Sequence, residues 1–558
     1  MWLSHLGALV ALSSIPWVGA QRLVGIKAGV NPTTGERPAR LNIDDLMKNG
    51  PQWDLFIQAL AAVHAADESD WTSWYQIAGI HGIPFKAYNG NEMVPGGART
   101  GYCPHGELTF ITWHRPYLAL LEQTIHAHAT RIAAQYPPSS SATYKSAAET
   151  LRLPFWDWAN PSTPTAPPIT TEPSITITTP SGPSTFPNPL YSYPFQTFPF
   201  TDPDFLDRDL TDYPATKRCI NMTLGPPGVN DFALSQNYLR DQSSSVRNNV
   251  YKTFTQATNF IDMASTSGSG GRSFENPHNS VHQSIGGGRI GGMSGHIKPT
   301  EWAAFDPIFW LHHANVDRQF AMWQAIYFEN SMWTGSVNGH PTFGSDGRGI
   351  TADSPLRPFV DGEGKDWTSR RVEGTRELGY TYEGVEEWKG TKEEVRERVR
   401  EMVNRLYGPQ QVAAKGRRVA KRQGVGKEYS ALVKVDREDK GLELPCSVRV
   451  FVGERLAGEL SLLSMPMVGT AFANVPLQEA LEEAGVPLDK TAPEVVAAVK
   501  EKMRVEVISG RGIIQPTTLQ SLAIEIQDRD FTPSNSATEF PKYGESTSWP
   551  VDIEDVKI

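Results

Sequence analysis

The sequence predicts a mainly α-helical domain followed by a smaller, β-rich C-terminal domain. Three observations carry that prediction. Apolar residues recur at helical spacing in several long runs before residue 385. A highly charged helical stretch, Thr391 to Tyr407, and the basic segment Lys415-Gly416-Arg417-Arg418-Val419-Ala420-Lys421-Arg422 then end the pattern. From Tyr429 the apolar residues alternate instead, as Ala431, Val433, Val435 and again as Val448, Val450, Val452. At 558 residues the chain is too long for one ordinary core, so two domains are expected. The boundaries follow as a leader over 1–20, a helical domain over 21–385, a charged helix and linker over 386–424, and the β-rich domain over 425–558.

Taken in order, residues Met1 to Ala20 are apolar and small, and Val18-Gly19-Ala20 precedes Gln21. Small residues at that point suit cleavage of a secretory signal, which implies a secreted, extracellular protein. From Gln52 to Ile80, Leu55, Ile57, Leu60 and Ala61 and then Trp71, Trp74 and Ile77 mark two helices with a break at Asp67-Glu68-Ser69-Asp70. Phe110 to Ile132 places Phe110, His114, Tyr117, Leu121 and Ile125 on one stripe. The Pro/Ser/Thr-rich stretch between Asn160 and Pro203, almost free of charge, reads as an irregular surface excursion. Helical patterning returns from Gln236 to Met263. Glycine-rich loops at Gly268 to Gly271 and Gly286 to Gly295 bracket a helix that carries His278, and Ala303 to Tyr327 is the last strong helix of this half.

Composition narrows the function classes. An apolar content of 39% with 20% charged residues describes a soluble globular chain. A net charge of −10 argues against nucleic acid as a partner. After the leader, no apolar run is long enough to cross a bilayer, so no membrane partner is expected. The three cysteines, Cys103, Cys219 and Cys446, are too few for a disulfide scaffold. Asn221-Met222-Thr223 is a glycan acceptor sequence consistent with export.

The histidines carry the chemistry. In Phe274-Glu275-Asn276-Pro277-His278-Asn279-Ser280-Val281-His282 two of them lie four apart, on one face of a helix. Asp306-Pro307-Ile308-Phe309-Trp310-Leu311-His312-His313-Ala314-Asn315-Val316-Asp317-Arg318 follows, where helical neighbours point about 100° apart, so one of His312 and His313 can face a shared metal. Asp317, one turn on, is placed to support that face. His81, His105 and His114 form an earlier set joined by loops. Neutral imidazoles without a carboxylate suit copper, which cycles between two oxidation states. A zinc hydrolase is the rival reading of two histidines four apart, but no H-E-x-x-H is present. His64, His126, His128 and His340 lack a partner set, and His296 sits in a glycine-rich loop.

These strings closely resemble the copper-binding signatures of fungal tyrosinases (polyphenol oxidases), type 3 copper enzymes with two copper ions. The later histidine strings resemble their copper-B region. Ile80-His81-Gly82, Cys103-Pro104-His105 and Trp113-His114-Arg115-Pro116-Tyr117 resemble copper A. The resemblance spans most of residues 45 to 385, including Trp156-Asp157-Trp158 and Tyr380-Thr381-Tyr382. It implies a four-helix-bundle dicopper catalytic domain with long loops and six ligands: His81, His105 and His114, then His278, His282 and His313. It further implies a thioether crosslink between Cys103 and His105. Glu275 matches a glutamate that holds a water near the metals, Asn279 an asparagine that orients that water, and Phe110 a phenylalanine near copper A. The implied reaction uses O2 to hydroxylate monophenols ortho to the hydroxyl and to oxidise o-diphenols to o-quinones, with small-molecule phenols as partners. The alternative is a catechol oxidase or o-aminophenol oxidase on the same site. An oxygen carrier of the hemocyanin type is disfavoured by the single-site, secreted architecture.

The C-terminal domain resembles the lid of latent fungal tyrosinases, which covers the copper entrance until a protease removes it. Its segment Met467-Val468-Gly469-Thr470-Ala471-Phe472-Ala473-Asn474 matches the part that inserts an apolar plug, which points to Phe472. No paired cysteines follow, which counts against a copper-delivery role. Arg417-Arg418 and Lys421-Arg422 are candidate sites for the processing protease.

Overall fold

The computed structural model describes residues 21–206, 210–221, 229–287, 295–409, 426–509 and 512–556. The leader 1–20, the basic pairs of the linker, Met222-Thr223 of the glycan acceptor and much of the loop from Gly286 to Gly295 lie outside the described residues.

The first half is helical. Its principal helices are α1 (Gly50–Ala65), α2 (Trp74–Gly79), α3 (Thr109–Ala133), α4 (Phe232–Gln256), α5 (Glu275–Ile285), α6 (Ile308–Ile326) and α7 (Lys392–Tyr407). Their ends are written in side chains. Ser73 caps α2 by accepting from the Gln76 amide, Asp231 caps α4 through the Leu234 amide, and Thr391 with Glu394 closes a capping box on α7. The expected break after α1 falls between Ala65 and Trp74. Helix α3 packs on α1 and α6, α4 on α5, and α6 on α7. Tyr117, Leu121 and Ile125 of α3 join Leu55 and Ile57 of α1 and Phe309 of α6 in one apolar core. Among the described residues no helix is long and apolar enough to cross a membrane.

The stretch from Asn160 to Pro203 is less irregular than its composition predicts. It holds an antiparallel hairpin, Ser174–Thr179 against Gly182–Pro187. Ile175 and Ile177 alternate inward there among threonines, a β-branched pattern that the surrounding prolines mask.

The C-terminal domain is a pair of four-stranded antiparallel sheets. With β1 (Gly426–Asp436), β2 (Cys446–Val452), β3 (Arg455–Leu462), β4 (Thr470–Pro476), β5 (Met503–Ser509), β6 (Gly512–Ile514), β7 (Ala523–Thr532) and β8 (Lys542–Val551), the orders are β4-β1-β7-β8 and β6-β5-β2-β3. Tyr429, Ala431, Val433 and Val435 of β1 meet Val448 and Val450 of β2 and Val505 and Val507 of β5 in a shared core. Two helices, α8 (Gln478–Glu483) and α9 (Ala492–Lys502), were not foreseen. A second capping box, Thr491 with Glu494, followed by Val495 and Val499 at helical spacing, is the sequence signal for α9.

Candidate metal centre

Two groups of buried side chains converge at the heart of the helical domain. One holds His81, Cys103, His105 and His114; the other holds His278, His282, His312 and His313. Helix α3 supplies His114, α5 supplies His278 and His282, and α6 supplies His312 and His313. His81 and His105 come from loops held by close backbone packing. A Cβ on Gly82 would lie 2.3 Å from the Glu301 carbonyl oxygen, and one on Gly101, whose φ is +80°, would lie 2.4 Å from that of His81. The groups adjoin: the rings of His114 and His313 stack at 4.2 Å, and Phe110 packs at 4.9 Å from both His114 and His278.

The second group has the geometry of a ligand set. The Nε2 atoms of His278, His282 and His313 stand 3.0, 3.1 and 3.2 Å from one another. His282 donates its Nδ1–H to the Ile297 carbonyl at 2.7 Å, and His278 donates its own to Asn279 Oδ1 at 2.8 Å. A neutral imidazole with its proton on Nδ1 presents a bare lone pair at Nε2. Two such lone pairs at 3.0 Å repel each other unless a cation lies between them. The first group repeats the logic. His81 donates from Nδ1 to the Thr300 carbonyl and His114 to that of Phe110, both at 2.8 Å, while His81 Nε2 is buried without a partner. Outer partners that fix the tautomer in this way accompany metal-binding histidines generally. Burial holds all six imidazoles below their ordinary value, His114 at about 3 and His282 at about 4, so they stay neutral and free to bind.

His313 and its neighbour divide as helix geometry requires. His313 aims Nε2 at His278 and His282 and stacks on Phe309 at 4.0 Å. His312 lies flat behind His278, with ring centres 4.9 Å apart and planes 13° apart, and neither of its nitrogens finds a partner. Cys103 Sγ stands 3.6 and 3.8 Å from the two ring nitrogens of His105, and 3.4 Å from His114 Nε2. Near-equal distances from both nitrogens suit a sulfur that faces the ring carbon between them.

Glu275 is wholly buried at the start of α5. Its Oε1 accepts from the Gly106 amide at 2.7 Å, and its Oε2 from the amide and hydroxyl of Thr266 at 2.7 and 2.9 Å. Burial pushes its carboxyl above the ordinary range, opposed by those bonds and by Arg437. Asn279, its amide oxygen engaged by His278, donates from Nδ2 to the Ser461 carbonyl of β3 at 2.9 Å. Glu107, which sequence reasoning missed, is a second buried carboxyl here. Burial pushes it up to about 7 against hydrogen bonds from Thr109 and the His340 amide, and Glu275 raises it further.

Two expectations, on Asp317 and Phe472, need correction. Asp317 supports no histidine. It accepts from Arg115 Nε at 2.6 Å, Arg40 Nη1 at 3.1 Å, Tyr380 at 2.5 Å and Tyr382 at 2.8 Å, tying α3, α6 and the Tyr380-Thr381-Tyr382 segment together. His296 lies outside both groups; it accepts from the Lys217 amide and packs on Trp302. Phe472 is half-buried on β4, where its amide donates to the Thr266 carbonyl, and among the described residues its ring touches none of the histidine rings. Residues of the C-terminal domain that abut the site include Pro466 and Arg437: a Cβ on Gly106, beside His105, would lie 3.0 Å from Pro466 Cγ and 3.1 Å from Arg437 Nη2. These contacts between the two domains, like the carbonyls of Thr300 and Ile297, join distant segments and leave no mark in local sequence.

Comparison with known proteins agrees with this geometry. Residues 71–326 match the family described as the common central domain of tyrosinase. A tyrosinase from Podospora anserina is 36% identical over 407 residues, covering 69% of this chain and 69% of its own length. Polyphenol oxidase 2 of Agaricus bisporus is 32% identical, covering 68% and 67%. A solved structure of latent and active mushroom tyrosinase superposes with a TM-score of 0.81 at 25% identity, over 95% of this chain and 98% of that one. Holo-protyrosinase of Aspergillus oryzae, 22% identical over 97% and 100% of the two chains with a TM-score of 0.72, shares the fold. Neutral imidazoles in two adjoining sets are what a pair of copper ions needs. Kinship and donor chemistry thus agree that the chain belongs to the tyrosinase family and oxidises phenols at a dinuclear copper centre.

Proposed function

We propose that this enzyme hydroxylates monophenols as well as oxidising o-diphenols to o-quinones. In this reading His81, His105 and His114 hold one copper and His278, His282 and His313 the other, with His312 as packing. Copper supplies the activation of O2 and the electron changes. The chain supplies the rest. Neutral ligands leave the centre cationic, which favours a phenolate, but a phenol loses its proton only near pKa ~10 in water. A base beside the metals is therefore needed. Glu275 and Asn279 serve by holding a water there. The supporting observation is the placement of Glu275: a buried carboxylate on the same helix as His278, hydrogen-bonded to the amide next to His105, and so in touch with both halves of the site. Phe110, between the two sets, gives the ring of a substrate an apolar neighbour.

The remaining expectations enter as parts of the same proposal. Cys103 would lose its S–H hydrogen and His105 a ring C–H hydrogen as an S–C bond forms, the two protons and two electrons reducing one O2 to hydrogen peroxide, with bound copper supplying the redox chemistry. The proximity of Cys103 to His105 supports this, and a Cys103–His105 peptide lighter by two hydrogens would establish it. The leader 1–20 directs the chain out of the cell. The domain 425–558 is a lid whose removal, by cleavage in the 386–424 linker, opens the site.

The test is a panel of tyramine and tyrosine against their catechols, run on copper-loaded protein before and after limited proteolysis. The expected result is turnover of both classes, rising on cleavage. An activated enzyme inert toward every monophenol would replace this reading with the catechol oxidase or o-aminophenol oxidase.

A further inference from the structure

Thr266, in the loop between α4 and α5, is wholly buried, and each of its polar atoms is engaged. Its amide and hydroxyl both donate to Glu275 Oε2, its carbonyl accepts from the Phe472 amide of the lid, and its hydroxyl accepts from Arg437 Nη2 of the lid at 2.8 Å. The consequence for Glu275 is a matter of counting acceptor sites. A carboxylate offers about four lone-pair positions. Thr266 fills both on Oε2, and the Gly106 amide fills one on Oε1. One acceptor position remains, on Oε1, the oxygen bonded beside His105.

We propose that Thr266 is a positioning residue for Glu275: by saturating Oε2 it confines the carboxylate's remaining acceptor position to Oε1, where a water serving the phenol is held. This rests on the role proposed for Glu275. The C-terminal domain donates to Thr266 through Arg437 and the Phe472 amide, so its departure removes the bonds Thr266 accepts and keeps the two it donates to Glu275.

The experiment uses copper-loaded full-length protein activated by limited proteolysis, with copper content measured for each variant. Thr266→Val removes the hydroxyl at nearly constant volume, Thr266→Ser restores it, and Glu275→Gln tests the base itself. Thr266→Ala is read in place of Thr266→Val if the latter does not fold or load copper. Thr266→Val is expected to lower kcat for tyramine about tenfold, a fraction of what a general base contributes. KM for tyramine and kcat for the corresponding catechol should change by less than about twofold, and Thr266→Ser should recover the tyramine rate. Equal losses on both substrates, no loss on either, or failure of serine to rescue would overturn the proposal. If Glu275→Gln suppresses tyramine turnover selectively while Thr266→Val does not, Thr266 alone is wrongly assigned. If Glu275→Gln leaves the tyramine rate intact, the reading of Glu275 fails and Thr266 falls with it.

Discussion

At the residue scale, the outcome turns on which atoms are left with nothing to bind. His81 Nε2 is orphaned in the core, and the Nε2 atoms of His278 and His282, whose ring protons are held on Nδ1, converge at 3.0 Å with that of His313 beside them. Burying polar atoms this way is costly unless an ion completes them. Asp317 is the opposite case, a carboxylate with every partner present. Burial alone raises its pKa, but Arg115 and Arg40 with the Tyr380 hydroxyl more than offset this and hold it below the ordinary value. A carboxylate depressed in the folded state adds stability that is complete above the unfolded pKa of ~3.9 and is lost as pH falls through the folded value. Stability measured by urea unfolding should therefore carry an acid-labile component below about pH 4 that Asp317→Ala lacks. At neutral pH that variant should lose about 3–5 kcal/mol, because the buried Arg115 loses its carboxylate while Arg40 keeps only Glu122. A loss under 1 kcal/mol would show that the network is dispensable. The ligand types were legible in sequence because two histidines four apart must share a helix face. The true partners of Asp317 were not, since Arg40 and Tyr380 lie far away along the chain.

At the element scale, α5 explains how so polar a helix can be buried. His278 and His282 face the metal site, while Asn276, Asn279 and Gln283, at three- and four-residue spacing, face the C-terminal domain. Their side-chain amides donate to the carbonyls of Glu459, Ser461 and, for Gln283, Cys446 and Leu462. The spacing is visible in the sequence; the existence of a polar strand edge to receive it is not. Helices with a long apolar stripe, α1, α3 and α6, were legible because periodicity and burial coincide in them. The Ile175–Ile177 hairpin and α9 were obscured by composition or brevity. The loops that carry His81 and His105 depend instead on close backbone contacts. Gly82→Ala would drive a Cβ against the Glu301 backbone, 2.3 Å from its oxygen and 2.5 Å from its Cα. The variant should bind about one copper instead of two while keeping its helical circular dichroism, since only one loop must shift. Full copper loading of Gly82→Ala would refute the claim that this contact seats His81.

At the scale of the whole molecule, the C-terminal domain meets the helical domain through hydrogen bonds and ion pairs as well as through Phe540, which packs on the helical core. Lys252 of α4 faces Glu428 of β1 at 3.2 Å, Arg247 faces Glu479 of α8 at 2.8 Å, and Arg437 reaches Thr266. Groups of that kind are resolvated by water when the partner leaves, unlike a buried apolar face. Cleavage in the linker should therefore raise turnover while lowering the melting temperature of the helical domain by no more than a few degrees. Collapse of that domain on cleavage, seen by calorimetry, would mean that the lid is part of its core. The two-domain division was legible from the change of hydrophobic period near Tyr429; the contacts between the halves were not, because they pair distant residues, 171 positions apart for Thr266 with Arg437 and 232 for Arg247 with Glu479. The most direct test of the whole account is elemental analysis of copper-reconstituted protein, wild type beside His81→Ala, His282→Ala, His313→Ala and His312→Ala. The account predicts two coppers in the wild type and in His312→Ala, and a fall to about one in each of the other three as one ligand set fails. Two coppers retained in any of those three, or turnover restored by zinc alone, would contradict it.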